Sequence, residues 1–186
     1  MDPVAHIWLV RLKEGHSIVE AAFSKATNEA RMSAVSYATG CGEHHAVFQC
    51  DEDPDLLAVI GYGRNPEDDG SAKERASHFL EFVTHQELYL FNAKASQFAL
   101  DSDHIAILFT KSQPTDSNIL PGRGHWALPM VPLPLVGHQD DQASELPRKT
   151  WVQVVSSEDA DRLSQAGSVR RFSKFMESRI ALQSTK

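Results

Sequence analysis

Val4-Ala5-His6-Ile7-Trp8-Leu9-Val10-Arg11-Leu12 is apolar on both faces when it is laid out as a strand. One parity carries His6, Trp8, Val10 and Leu12; the other carries Ala5, Ile7, Leu9 and Arg11. A strand with one wet face alternates, so this one predicts a sheet covered on two sides. His104 to Thr110 repeats the pattern, with Ile105, Ile107 and Phe109 on one face and Ala106 and Leu108 on the other. Between these two stretches the chain reads helix, two paired strands, then two helices. The order β-α-β-β-α-β predicts a small α+β antiparallel sheet. Helices would cover one face, and a second copy of the chain the other.

The helices are expected from their caps. Ser17-Ile18-Val19-Glu20 is a capping box, followed by Val19, Phe23, Ala26 and Ala30 at helical spacing. Val35 to Tyr37 is expected to begin a strand that Gly40 and Gly42 interrupt and Ala46 to Cys50 resume. Asp51 to Asp55 is a turn by composition, and Leu56 to Tyr62 completes a hairpin. Ser71-Ala72-Lys73-Glu74 caps a helix through Ala76, Phe79, Leu80 and Val83. Thr84-His85-Gln86-Glu87 is expected to cap another, through Leu88, Phe91 and Ala95.

Beyond Lys111 the composition changes. Six of the nine prolines lie between Pro114 and Pro147, which argues against a central strand. Yet Trp126, Leu128, Met130, Val131, Leu133, Leu135 and Val136 are too apolar for a solvated linker. The expectation is a barrel domain over 1–112 and an arm over 113–186 packed on the core or on a partner subunit. In that arm Trp151 to Val155 reads as an edge strand, and Ser156 to Ala166 and Ser168 to Ile180 as helices. No internal repeat at a fixed period is visible.

Bulk properties narrow the function classes. The 186 residues carry a net charge of −7, and Lys and Arg are scattered. Nucleic acid and anionic membrane both require clustered positive charge, so neither is the expected partner. Two cysteines form no disulfide framework. The apolar run Ile7 to Val10 is too short for a signal peptide, and no stretch approaches the ~18 apolar residues of a membrane span. The expected location is the cytoplasm.

Ser77-His78-Phe79-Leu80-Glu81-Phe82-Val83-Thr84, then Tyr89 and Phe91, then His104-Ile105-Ala106, resembles the helix-and-last-strand segment of the dimeric α/β-barrel superfamily. Within it the segment is most similar to the antibiotic-biosynthesis monooxygenase type, over residues 4–110. The resemblance implies a homodimer of ferredoxin-like units, with a cavity between sheet and helices. It implies a cofactor-independent enzyme of secondary metabolism acting on a hydrophobic, aromatic or polyketide-like small molecule. Proton abstraction would precede oxygenation, cyclisation or rearrangement. The superfamily also holds haem-binding members, so the fold supplies a cavity and not a mechanism. The rival reading is a non-catalytic ligand-binding or stress-response dimer.

Such chemistry needs a base whose pKa lies near neutrality, and imidazole is the natural choice. His78, close to Phe79 and Phe82, is the first candidate, with His85 and His6 next. A helix histidine bonded to water or backbone is the plainer reading of His78 and His85, and core or dimer-interface packing that of His6. His6 and Trp8, at two-residue spacing on one strand, are expected to share a compartment. Trp8, Tyr62, Tyr89 and Phe82 are expected to orient the ligand, although core or interface packing is the plainer reading of Trp8 and an amphipathic edge position that of Tyr62 and Tyr89. Cys41, His44, His45 and Cys50 offer four possible metal ligands in a spacing that fits no closed site. Gly122-Arg123-Gly124-His125-Trp126 reads as a loop able to cover a pocket. No Walker A, dinucleotide fingerprint, nucleophile elbow or zinc-protease motif occurs.

Overall fold

The structure, a computed structural model, describes residues 4–35, 43–63, 77–92, 101–111, 124–130, 150–160 and 168–180. Its strands are β1 (Val4–Leu12), β2 (Glu43–Cys50), β3 (Leu56–Gly63), β4 (Val83–Asn92), β5 (His104–Thr110), β6 (Gly124–Met130), β7 (Thr150–Ser156) and β8 (Ser168–Ile180). Helix α1 spans Ala21–Val35, and 77–82 forms a shorter helical segment. The strands close into one barrel in the order β1-β3-β2-β8-β5-β7-β6-β4. Every neighbouring pair is antiparallel.

That ring is two sheets of equal topology. β1 to β4 lie in the order 4-1-3-2, and β5 to β8 repeat it as 8-5-7-6. The order is compatible with a ferredoxin-like α+β unit. The contacts β2–β8 and β4–β6 join the two sheets. The apolar strands therefore find their second cover within the chain. A sheet of the same strand order does face β1–β4, and residues beyond 101 supply it.

Eight strands leave an interior just wide enough for side chains to fill. Ala5, Ile7, Leu9, Phe48, Ile60, Ile105, Ile107, Val154 and Phe172 fill it. Each large member contributes about 1.5–3 kcal/mol by leaving water. The opposite parity of β1 faces the helices, where Val10, Leu12, Leu57 and Val83 pack against Phe23 and Phe79. On the second sheet the outer cluster is Ala106, Leu108, Val155 and Ala160, with Val169 against it.

Half of the capping box at Ser17 forms, and α1 begins only at Ala21, beyond Val19, which is 85% exposed and outside the expected apolar stripe. The Ser17 amide donates to Glu20 Oε1, and the Val19 amide donates to Ser17 Oγ at 3.4 Å. The hairpin also forms as expected, with Val47 opposite Val59. Val35, expected to start a strand, is instead the last residue of α1.

Four expectations are overturned. Residues 84–92 are not helix but most of β4, paired with both β1 and β6. Their Thr, Tyr and Phe suit a strand, and two-sided pairing overrides the capping-box pattern. Residues 168–180 are β8, not helix. Phe172 points into the barrel and Val169 out of it, so apolar residues on both faces mimic helical spacing. The proline-rich arm contributes β6, which lies between β4 and β7. Pro129 is tolerated there because β7 pairs only with Gly124–Ala127, which leaves Pro129 one neighbour. Trp151–Val155 is no edge, since β7 pairs with β5 and β6. Of the expected helix 156–166, Ser157–Asp159 form a 3-10 turn and 161–166 lie outside the described residues. The capping box at Ser71 lies outside them too.

Candidate functional site

Space remains on the helix side of the first sheet. His6 and Trp8 of β1, His45 and Val47 of β2 and Val59 of β3 form its floor, and Thr27, Ala30 and Phe79 its roof. The cavity measures about 90 Å³. The small Ala30 keeps α1 from filling it, while the Thr27 hydroxyl is spent on Phe23 O at 2.8 Å.

Gly61 sets the floor. It pairs with His6 on one side and with His45 on the other, so the three form one row across β1, β3 and β2. A Cβ at Gly61 would overlap His45 Nδ1 and His6 Cε1. The two imidazoles thus close over the glycine, with ring centres 5.6 Å apart. Burial lowers the His6 pKa to about 3, and the neighbouring His45 adds to the effect.

Trp8 forms the adjoining wall. Its ring meets Phe79 edge-on at 5.5 Å. Its indole Nε1–H donates to His85 Nδ1 at 3.0 Å. That bond requires His85 to carry its own proton on Nε2. Burial lowers the His85 pKa, and Glu87 opposes the shift.

The sequence candidates thus separate into three places. His6 and Trp8 share the cavity, and His85 stands behind Trp8. His78 lies outside, exposed, with Nδ1 3.3 Å from Glu29 Oε2 of α1. Phe82 packs on Phe23 and His16 and is not part of the cavity wall. Tyr89 faces the barrel interior against Phe109, and its hydroxyl donates to Glu87 Oε2 at 2.6 Å. Burial, with that bond second, raises the Tyr89 pKa. The side chain of Tyr62 lies outside the described residues.

Sequence reading passed over Gly61 and weighed His45 only as a metal ligand beside Cys50. Those two cannot share an ion, because Cys50 faces the barrel interior and His45 the cavity. Cys41 and the His44 side chain lie outside the described residues. Gly124-His125-Trp126 begin β6 rather than a loop, and Gly122-Arg123 lie outside the described residues. The signal that finds the site is hairpin register, since the β2–β3 pairing alone sets His45 opposite Gly61.

No protein-family model matches the sequence, and no curated protein matches it. Solved structures do resemble it. A protein from Lactobacillus acidophilus, provisionally assigned as a monooxygenase, matches with a TM-score of 0.52 at 10% identity, over 98% of this chain and all of that one. A protein provisionally assigned as a chlorite dismutase matches with a TM-score of 0.49 at 12% identity, over 95% of this chain and 96% of that one. A haem-binding protein from Thermus thermophilus matches with a TM-score of 0.48 at 10% identity, over 94% and 92%. The first likeness shows a shared fold; identity this low carries no chemistry across.

Haem itself does not fit the described residues. Cofactor pockets run to about 300–1,000 Å³. The helix-side cavity is about 90 Å³, and side chains fill the barrel interior. No helix among the described residues is long and apolar enough to cross a membrane.

Proposed function

We propose that this chain is a monooxygenase-like enzyme of the dimeric α/β-barrel superfamily, with both sheets of the barrel in one polypeptide. Its substrate is a hydrophobic, aromatic or polyketide-like molecule that reacts once deprotonated, and no organic cofactor takes part. The observation that supports this reading is the imidazole pair His6–His45 in the wall of an otherwise apolar cavity.

The two imidazoles take different parts. Burial and the neighbouring His45 lower the His6 pKa to about 3, so at neutrality His6 is the uncharged imidazole and a poor base. Neutral imidazole still carries one N–H, and His6 donates it to the oxyanion that develops on the substrate. His45 takes the proton. The deprotonated substrate then passes an electron to dioxygen, or rearranges where oxygen is not used. Trp8 gives the substrate an apolar wall, its N–H already committed to His85. The cavity of about 90 Å³ is smaller than the ~150 Å³ that accepts benzene, so a ring enters only when the helical roof moves outward. A homodimer on this reading joins complete barrels, and each subunit keeps its own cavity.

Oxygen uptake with a panel of phenols, quinols and enolisable ketones tests the proposal. Turnover should require His45 and fall sharply in His6→Ala. Uptake that survives His45→Ala would sink it. A second reading, a non-catalytic binding module, is favoured by the small cavity. It predicts that native mass spectrometry finds a retained small molecule and that no panel member is consumed.

A further inference from the structure

We propose that His6 and His45 form a two-imidazole site for a late first-row transition-metal ion, zinc or copper, with its remaining coordination positions open to the cavity. The inference goes beyond the proposed reaction. It uses the same two side chains but does not depend on turnover.

Convergence of the rings is the first observation. His6 and His45 stand on strands separated by β3, so their backbones are about 10 Å apart at the usual ~4.8 Å strand spacing. Their ring centres are only 5.6 Å apart. Both rings lean inward across Gly61. A ring centre lies about 3.2 Å from an ion bound through its nitrogen, given a metal–nitrogen bond of about 2.0–2.1 Å. Two such legs with centres 5.6 Å apart subtend about 120° at the ion, close to the tetrahedral and trigonal angles these metals adopt.

The notch over Gly61 is the second observation. The atoms that a Cβ would overlap are His45 Nδ1 and His6 Cε1, the carbon bonded to both nitrogens of its ring. Each imidazole therefore rests a nitrogen-bearing edge against Gly61, and the missing side chain is what lets the two rings approach each other. The adjoining cavity has room for waters or an exogenous ligand at the remaining positions. Among the described lining residues the two imidazoles are the metal donors, and imidazole suits late first-row metals rather than magnesium or calcium.

The test is metal titration of the full chain after chelator treatment. Zn2+ is followed by calorimetry and Co2+ by its visible ligand-field bands. One equivalent should bind, with the Co2+ spectrum of a four-coordinate ion. His6→Gln and His45→Gln should each weaken binding at least about 10-fold, while His78→Ala and His104→Ala bind as the native chain does. Circular dichroism checks that each variant folds. Should a glutamine variant not fold, Co2+ shifts of the His6 and His45 ring protons in the native chain read the site directly. Absence of stoichiometric binding, binding indifferent to both glutamines, or ring protons unmoved by Co2+ would overturn the assignment. An ion on His45 blocks its role as base, so oxygen uptake is read on the metal-free chain; metal binding with no uptake by the metal-free chain would refute the proposed reaction alone.

Discussion

Alanine at Gly61 is the smallest change that reaches both imidazoles at once. Its Cβ would overlap His45 Nδ1 and His6 Cε1 and would stand 2.7 Å from His45 Cε1. The backbone is not the obstacle, because among the described residues only Gly15 has a positive φ, at 86°. The whole cost is steric. One ring must swing into the cavity or push α1 outward. Overpacking of this kind costs about 1–3 kcal/mol. For a chain of 186 residues that lowers Tm by about 2–12 °C. Thermal and urea unfolding of Gly61→Ala measure the loss, and an unchanged m-value shows that it is a loss of stability. His45→Ala removes two of the three overlapping atoms. In that background the alanine at 61 should cost less, with a coupling of about 0.5–3 kcal/mol. An unchanged melting curve, or an equal cost in both backgrounds, would show that the imidazoles do not lie against Gly61.

Three further outcomes follow from the surrounding contacts. The His85 pKa is lowered by burial, so below pH ~6.5 the unfolded chain takes the proton first and stability falls towards the lowered pKa. His85→Gln should lose less stability than the native chain between about pH 7 and 5, as read from melting curves. Tyr89 has the opposite sign: its raised pKa keeps stability whole below pH ~10 and loses it above. Tyr89→Phe should flatten that alkaline decline and cost about 1 kcal/mol at neutral pH through the lost bond to Glu87. His78→Ala should change stability by no more than about 0.5 kcal/mol, because its partnership with Glu29 is exposed. It should also leave the His6 and His45 ring resonances in place. Abolished oxygen uptake in that variant would return His78 to the reacting centre.

The legible parts of the fold are those whose signals are local. The Ser17–Glu20 box marks the entry to α1, and the acidic turn after Cys50 marks the hairpin. β1 and β5 announce themselves because a short strand apolar on both faces has few other readings. β4 and β8 do not. Each carries a bulge: Gln86 is extra in β4 opposite Leu9 and Val10, and Phe175 is extra in β8 opposite Val47 and Phe48. A bulge shifts the parity midway, and two covered faces let apolar residues fall at intervals of three and four. The repeat of 4-1-3-2 order is invisible for a related reason. It resides in which strands pair, not in which residues recur, and β1–β2 and β5–β6 are joined by connections of different length. At the site, the shared parity of His6 and Trp8 was enough to place both in one compartment. Gly61 had no such signal. Its role exists only once register sets it between two histidines.

Closure within one chain also decides where a ligand can go. A sheet faced by its twin offers two places for a small molecule, between the sheets and beneath the helices. Here the first is occupied by Phe48, Phe172 and the branched side chains around them. Of the second, the described residues show one instance, on the first sheet. On the first sheet the outer face holds His6, His45 and Trp8 around open space. On the second, the described outer cluster is Ala106, Leu108, Val155, Ala160 and Val169, while the side chain of His125 lies outside the described residues. Among the described residues, a histidine pair beside open space stands on the first sheet only. A chain with two equivalent sheets but one histidine pair should therefore bind one ligand or one metal ion per polypeptide. A stoichiometry of two would mean that the second sheet carries a site of its own.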